Sequence, residues 1–187
     1  MTAAEVFDSV TNGGASDFDA LVRILNKNKP WCLIGGLAVN CYVEPVYTID
    51  ADIVIVADRL RQICDEMEGA GFEIQDSENG RTAAGKTPLL EEHSINAKRG
   101  TSQLRVQFTT DARYQEFLTN TEEREVLGHQ VPVATLENIV LGKVWAWNDE
   151  SRRTSKRKKD ELDLLRIAEA YPKLRKQIPA EIVEQLK

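Results

Sequence analysis

Trp31-Cys32-Leu33-Ile34-Gly35-Gly36 is a short apolar run that stops at two glycines, and Asp50-Ala51-Asp52-Ile53-Val54-Ile55-Val56-Ala57 follows about fourteen residues later. The first run reads as a buried strand ending in a tight turn. The second is the strongest strand signal in the chain, being β-branched, apolar and bounded by charge. Two glycines at a strand end let the backbone approach a ligand closely, and the N–H groups of the turn and of a following helix can point at a phosphate. Strand side chains alternate, so Asp50 and Asp52 share one face with their carboxylates roughly 7 Å apart. Two like charges on one face require something positive between them. Mg²⁺ fits, since it takes one or two carboxylates together with substrate phosphate oxygens. Taken singly, a diglycine is a tight turn and two strand-end aspartates are solvated charge. Their order and spacing carry the functional reading.

Around this centre the chain alternates between the two periodicities. Residues 17–28 place Phe18, Leu21, Val22 and Leu25 at helical spacing, and Lys29-Pro30 ends that helix. A short helix is expected over 37–43, broken by Pro45. A helix over 58–70 aligns Leu60, Ile63, Cys64 and Met67, with Gly71 after its end. Strands are expected at 72–75, 93–97 and 103–109, an extended segment at 125–134, and a polar, Gly-containing loop at 76–88. Helices follow at 135–148 and 159–170, and Pro179 starts a last one. On the 135–148 helix Leu136, Ile139, Val140, Val144 and Trp147 form one stripe, and Lys143 falls inside it. A lysine on an apolar face needs an anion or a way out to water. On the next helix Asp160 aligns with Leu164 and Ile167, toward the buried side. A phosphate partner for Lys143 and a plain Lys143–Asp160 pair both satisfy this pattern.

Gly35-Gly36, then Tyr42, Pro45, Thr48 and Asp50-x-Asp52, resembles the opening signature of the nucleotidyltransferase fold, and most closely its AbiEii-like branch, which includes toxins of bacterial toxin–antitoxin systems. The resemblance continues through Leu136-Glu137-Asn138 to Lys143 and through Lys159-Asp160-Glu161-Leu162-Asp163-Leu164, and so spans about residues 31 to 170. It implies an α/β (α+β) fold, with a mixed-sheet core and N-terminal helix over 1–134 and a helical C-terminal part over 135–187 completing the cleft. It implies Mg²⁺-dependent transfer of a nucleotide from an NTP to an acceptor hydroxyl on RNA, tRNA or protein, with an antitoxin protein as a partner. Asp50 and Asp52 would then be the metal ligands and Gly35 and Gly36 the phosphate loop. Lys143 would steady the triphosphate, and Asp160 would deprotonate or orient the acceptor.

Two departures keep a non-catalytic nucleotide- or protein-binding module open. Pro45 is followed by Val46, where the family usually shows Arg just before the Thr. The strand that carries a third carboxylate in the polymerase-like branch offers Gln107, a neutral amide, in Leu104-Arg105-Val106-Gln107-Phe108. A rival motif also stands in the chain. Gly80-Arg81-Thr82-Ala83-Ala84-Gly85-Lys86-Thr87 fits the letters of a P-loop and would suit a P-loop phosphotransferase. Its context is wrong: the preceding strand is short and distant, Pro88 follows at once, and the next segment looks extended rather than helical. The simpler reading is a loop whose Arg81 and Lys86 reach toward the cleft.

Composition narrows the classes. Of 187 residues, 42% are hydrophobic and 29% charged, which supports a buried core and excludes wholesale disorder. The net charge of −6 excludes a generic nucleic-acid coat, yet six of the eight residues Arg152-Arg153-Thr154-Ser155-Lys156-Arg157-Lys158-Lys159 are basic. Read as a loop between two helices, this run is a candidate grip for the phosphates of an RNA acceptor, through Arg152, Arg153, Lys156, Arg157, Lys158 and Lys159. Trp145 and Trp147 read as packing residues, and His93 and His129 as structural. No apolar run approaches the roughly 20 residues of a membrane span, and Met1 to Asp8 lacks a basic, then apolar, leader. A cytoplasmic location is expected. Cys32, Cys41 and Cys64 lack metal-ligand spacing and read as small buried hydrophobes.

Overall fold

The computed structural model describes residues 3–76 and 94–186. The P-loop-like stretch, with Arg81 and Lys86, and His93 lie outside them. Two helices, α1 (Ala3–Thr11) and α2 (Gly14–Lys27), lead into β1 (Trp31–Ile34), α3 (Gly35–Val39), β2 (Asp50–Ile55), α4 (Ala57–Gly69) and β3 (Phe72–Asp76). Then come β4 (Ser94–Arg99), β5 (Arg105–Thr109), a 3₁₀ segment (Ala112–Thr119), β6 (Thr121–Val126) and β7 (His129–Ala134). The chain ends in α5 (Leu136–Asn148), α6 (Thr154–Ala170), a second 3₁₀ segment (Pro172–Gln177) and α7 (Ala180–Val183), which Pro179 caps.

All seven strands join one mixed sheet in the order β3-β4-β5-β2-β1-β7-β6. The two runs that opened the reading lie next to each other at its centre. β1 pairs antiparallel with β2, setting Ile34 opposite Asp52, and β2 pairs parallel with β5, setting Asp52 beside Gln107. Cys32, Leu33, Ile53, Val54 and Ile55 are fully buried there, as expected of central strands with both faces covered. α2 packs against α4, while α3 touches β1, β2, α5 and α6. The edge strand β6 is rich in exposed charge, which discourages pairing with another chain.

The differences from expectation have local causes. α3 starts at the diglycine itself and stops at Val39, with turns through Val43, so it is shorter than 37–43 and offset from it. The segment 125–134 is the second half of a hairpin: Leu127 (φ +50°) and Gly128 (φ +86°) turn the chain, and the acidic strand before them carries no apolar alternation to reveal it. α1 and the first 3₁₀ segment were not anticipated. The largest correction concerns the basic run. α6 begins at Thr154, so Lys156 to Lys159 are helical rather than loop. Residues 154–170 contain neither Gly nor Pro, and Lys and Arg are good helix formers.

Candidate active site

The turn after β1 makes the site possible. Gly35 has φ +69°, a conformation that disfavours any side chain, and a Cβ built there would overlap the Asp52 carboxylate. The acid therefore lies directly against the bare backbone of the turn. A Cβ on Gly36 would come within 3.1 Å of Thr48 Oγ1. Asp50, two residues before Asp52, opens into the same cleft, lined also by Gly36, Thr48 and Gln107. Asp50 and Asp52 thus share a face and look toward the diglycine.

Four cations converge on these acids, all from the helical tail. Lys156 Nζ lies 3.2 Å from Asp50 Oδ2, and Lys159 Nζ reaches Thr48 Oγ1 at 3.4 Å. Lys143, 8% exposed on α5, sits between two buried acids of α6, 2.9 Å from Asp160 Oδ1 and 2.6 Å from Asp163 Oδ2. Arg152 Nε holds the other oxygen of Asp160 at 2.9 Å. Asp163 also meets Arg166 at 2.8 Å, and Arg166 reaches back to Asn40 and the Glu44 carbonyl, tying α6 to the segment that leads into β2. Burial pulls the Lys143 pKa down, but Asp163 and Asp160 outweigh it and leave the ammonium above its ordinary value. Burial is also the main influence on Asp52. It raises the carboxyl pKa; Lys143 opposes this, Asp50 adds to it, and Lys156 and Arg152 oppose it.

Two clefts meet at this point. The polar one, about 100 Å³, holds Asp50, Gly36, Thr48 and the cations. The second, about 170 Å³, continues past Asp52 between Tyr114 and Phe117 of the 3₁₀ segment and Asn138, Ile139 and Gly142 of α5. Asp52, Gln107, Lys143, Arg152 and Asp160 line both.

Most of the residues singled out from the sequence come together here: Gly35, Gly36, Asp50, Asp52, Lys143 and Asp160. Gln107 lines both clefts, and Val46 lies at the surface, 37% exposed. The basic run divides. Arg152, Lys156 and Lys159 turn into the cleft, whereas Arg157 donates to the Trp147 carbonyl, Lys158 pairs with Glu161, and Arg153 is exposed at the start of α6. Sequence reasoning missed Asp163, although its position three residues after Asp160 puts both acids on one helical face. It also missed Tyr114 and Phe117, which have no motif around them, and gave no role to Asn138, although Leu136-Glu137-Asn138 belongs to the resemblance. Trp145 packs on Tyr114 and Phe117, and His129 lies 3.5 Å from Asp19, away from the cleft. Burial pushes the thiols of Cys32 and Cys64 up to about 12 and that of Cys41 to about 11, where they are inert. Among the described residues, no group of three or more His, Cys, Asp or Glu gathers as a metal site, and no helix is long and apolar enough to cross a membrane.

Several solved structures share this architecture at low identity. The crystal structure of ANT(2")-Ia in complex with adenylyl-2"-tobramycin aligns with a TM-score of 0.61 and 10% identity, over 92% of this chain and 98% of that one. An antigenic nucleotidyltransferase-like protein from Paracoccidioides brasiliensis gives 0.52 and 20%, over 87% and 75%. JHP933 from Helicobacter pylori gives 0.50 and 19%, over 85% and 68%. These likenesses show the fold. No curated protein matches the sequence. The family described as "Nucleotidyl transferase AbiEii toxin, Type IV TA system" matches residues 19–186, nearly the whole chain, and the protein belongs to that family.

Proposed function

We propose that this protein transfers a nucleoside monophosphate from an NTP to an acceptor hydroxyl. The acceptor oxygen attacks the α-phosphorus in line, the bond from the α-phosphorus to the bridging oxygen breaks, and pyrophosphate and a proton are released. The observation that supports this most is the placement of Asp50 and Asp52 against the Gly35-Gly36 turn, with Lys143, Arg152, Lys156 and Lys159 around them. Two carboxylates on one face beside an open, cation-lined cleft suit Mg²⁺, which needs few protein ligands when phosphate supplies the rest. Asp50 and Asp52 would hold the ion, which would supply positive charge against that developing at the reacting phosphorus. Gly35 and Gly36 present backbone N–H groups to the triphosphate without side chains in the way. Lys143 and Arg152 steady the phosphates. Asp160, with one oxygen on each of them, is a positioning residue for that pair.

The acceptor is sought among RNA, including tRNA, and protein hydroxyls. Small molecules belong in the search too, because ANT(2")-Ia, of the same fold, is seen in complex with adenylyl-2"-tobramycin. The protein is incubated with each labelled NTP, Mg²⁺ and total cell extract, beside an Asp52→Ala variant. One NTP should label one class of acceptor in the wild type and none in the variant. Equal labelling by both would refute the assignment. Gln107, paired in register with Asp52 on the strand that carries a third carboxylate in the polymerase-like branch, favours a second reading as a non-catalytic NTP-binding module. Wild-type protein that binds Mg-NTP but labels nothing would select it.

A further inference from the structure

We propose that the cleft beyond Asp52 is the subsite for the base of the bound NTP, and that Asn138 is the residue that reads it. This rests on the polar cleft being the triphosphate site, because the two share Asp52, Lys143 and Arg152.

One wall is aromatic. Tyr114 and Phe117 meet edge to face, with centroids 5.2 Å apart, and Trp145 props both from behind at 5.3 and 5.9 Å. A braced aromatic wall offers a planar ring a low-entropy surface to pack on. The other wall is α5, with Gly142 facing the aromatic pair. A Cβ there would come within 3.2 Å of Tyr114 Cε1, so glycine lets this turn of helix lie against the ring without displacing it. The cleft's 170 Å³ is ring-sized, since a cavity of about 150 Å³ suffices for benzene.

Asn138 supplies the polar element. Asn138 is partly buried and lines this cleft. Its Nδ2 has no hydrogen-bond partner among the described residues and no surface open to the cleft, so the amide turns about its side-chain bonds to meet a ligand. A buried N–H without an acceptor is costly and rare, and turning it toward an acceptor relieves that cost. An acceptor that arrives with the ligand accounts for it: a carbonyl oxygen or ring nitrogen on the edge of a nucleobase, whose face lies on the aromatic wall and whose phosphates run past Asp52 to the diglycine turn. Asparagine carries a donor and an acceptor side by side, which suits a base edge presenting the same pair.

The test compares NTPs with inorganic tripolyphosphate, which carries the phosphates without a base. Dissociation constants are measured by calorimetry in Mg²⁺ for wild type, Asn138→Leu and Asn138→Asp. In the wild type at least one NTP should bind about tenfold or more tightly than tripolyphosphate, and both substitutions should erase most of that margin while leaving tripolyphosphate binding intact. Without ligand, Asn138→Leu should raise Tm, because it removes the orphan donor, whereas a structural amide would make the same change destabilising. An unchanged NTP margin in both variants, or a wild type that binds NTP and tripolyphosphate equally, overturns the base subsite while leaving the triphosphate site standing. A wild type that binds neither ligand overturns the triphosphate reading and the subsite with it.

Discussion

Replacing Gly35 by alanine tests the contact on which the site is built. Two separate costs are expected. One is conformational: an alanine at φ +69° carries a penalty of about 1–2 kcal/mol. The other is steric. The new methyl would occupy the space of the Asp52 carboxylate, and Asp52 cannot retreat with its backbone, which is paired to Ile34 on one side and Gln107 on the other. The side chain must rotate, at about 0.5–1.5 kcal/mol for an off-rotamer χ. The total, roughly 1.5–3.5 kcal/mol, corresponds to a Tm lowered by about 3–14 °C in a protein of this size. Gly13 supplies an internal standard, with φ +94° and nothing within 4 Å of a built Cβ. Gly13→Ala should therefore show the conformational cost alone. Urea unfolding followed by circular dichroism gives the comparison. Gly35→Ala should cost more than Gly13→Ala in the wild type, and the excess should shrink in an Asp52→Ala background, which removes the Oδ2 and Cγ overlaps and leaves only the Cβ at 2.9 Å. If Gly35→Ala costs the same in both backgrounds, the turn and the acid are not in contact and the site as described is wrong.

Removing Lys143 should unfold the tail more than it harms any one contact. Lys143→Met leaves Asp160 to Arg152 alone and Asp163 to Arg166 alone, each with one buried oxygen unpaired, and breaking such buried pairs costs about 3–5 kcal/mol, hence a Tm lower by roughly 6–20 °C. A loss under 3 °C by calorimetry would be inconsistent with the ion cluster. The direction of the Lys143 pKa fixes the pH window. An ammonium raised above its ordinary value of 10.5 stabilises fully below that value, and the contribution fades as pH climbs through the raised one. The wild type should lose this part of its stability only above about pH 10.5, and Lys143→Met should lack that limb. Asp52→Asn should behave oppositely to an ordinary active-site lesion. The Asp52 pKa is raised chiefly by burial, so its ionised form opposes folding at neutral pH, and the amide should raise Tm while nucleotide transfer is lost. The stabilisation should shrink as pH falls through the raised pKa toward 3.8, and a neutral-pH Tm at or below that of wild type would contradict the desolvation argument.

How much of this was legible in the sequence depended on whether the signal was local. The β1 turn and β2 were readable because their apolar runs are continuous and their ends carry glycines and acids. Lys143 was readable because a charge inside an apolar stripe breaks a pattern. What the sequence could not convey is pairing across distance. Nothing local places Ile34 opposite Asp52, yet that register brings Gly35 onto the carboxylate. Nor does composition say that Lys156 and Lys159 point inward. As a charge run they resemble any solvated segment, and their direction follows only from the angle at which α6 crosses the site. Tyr114 and Phe117 lie on a 3₁₀ segment with no pattern of its own, and although α5 was readable, nothing in its stripe places Asn138 opposite them, so their convergence is a property of the tertiary structure alone.

The charges of the site fall into two kinds, and the division bears on how it would work. In the polar cleft four cations face three carboxylates, a surplus that favours a polyanion while Asp50 and Asp52 still repel its phosphates. Lys143 and Arg152 are fixed: Asp160 and Asp163, buried behind them, set their positions before any ligand arrives, so little reorganisation is needed to meet a phosphate. Lys156 and Lys159 are held only from the front, the one by Asp50 at 3.2 Å and the other by Thr48 at 3.4 Å. Under the proposed function, Asp50 would hold the ion, and Lys156, 3.2 Å from Asp50 Oδ2, would be placed to meet the phosphates. Of the basic run, Arg152, Lys156 and Lys159 thus face the cleft, whereas Arg157 and Lys158 are held by Trp147 and Glu161 and Arg153 is exposed at the start of α6.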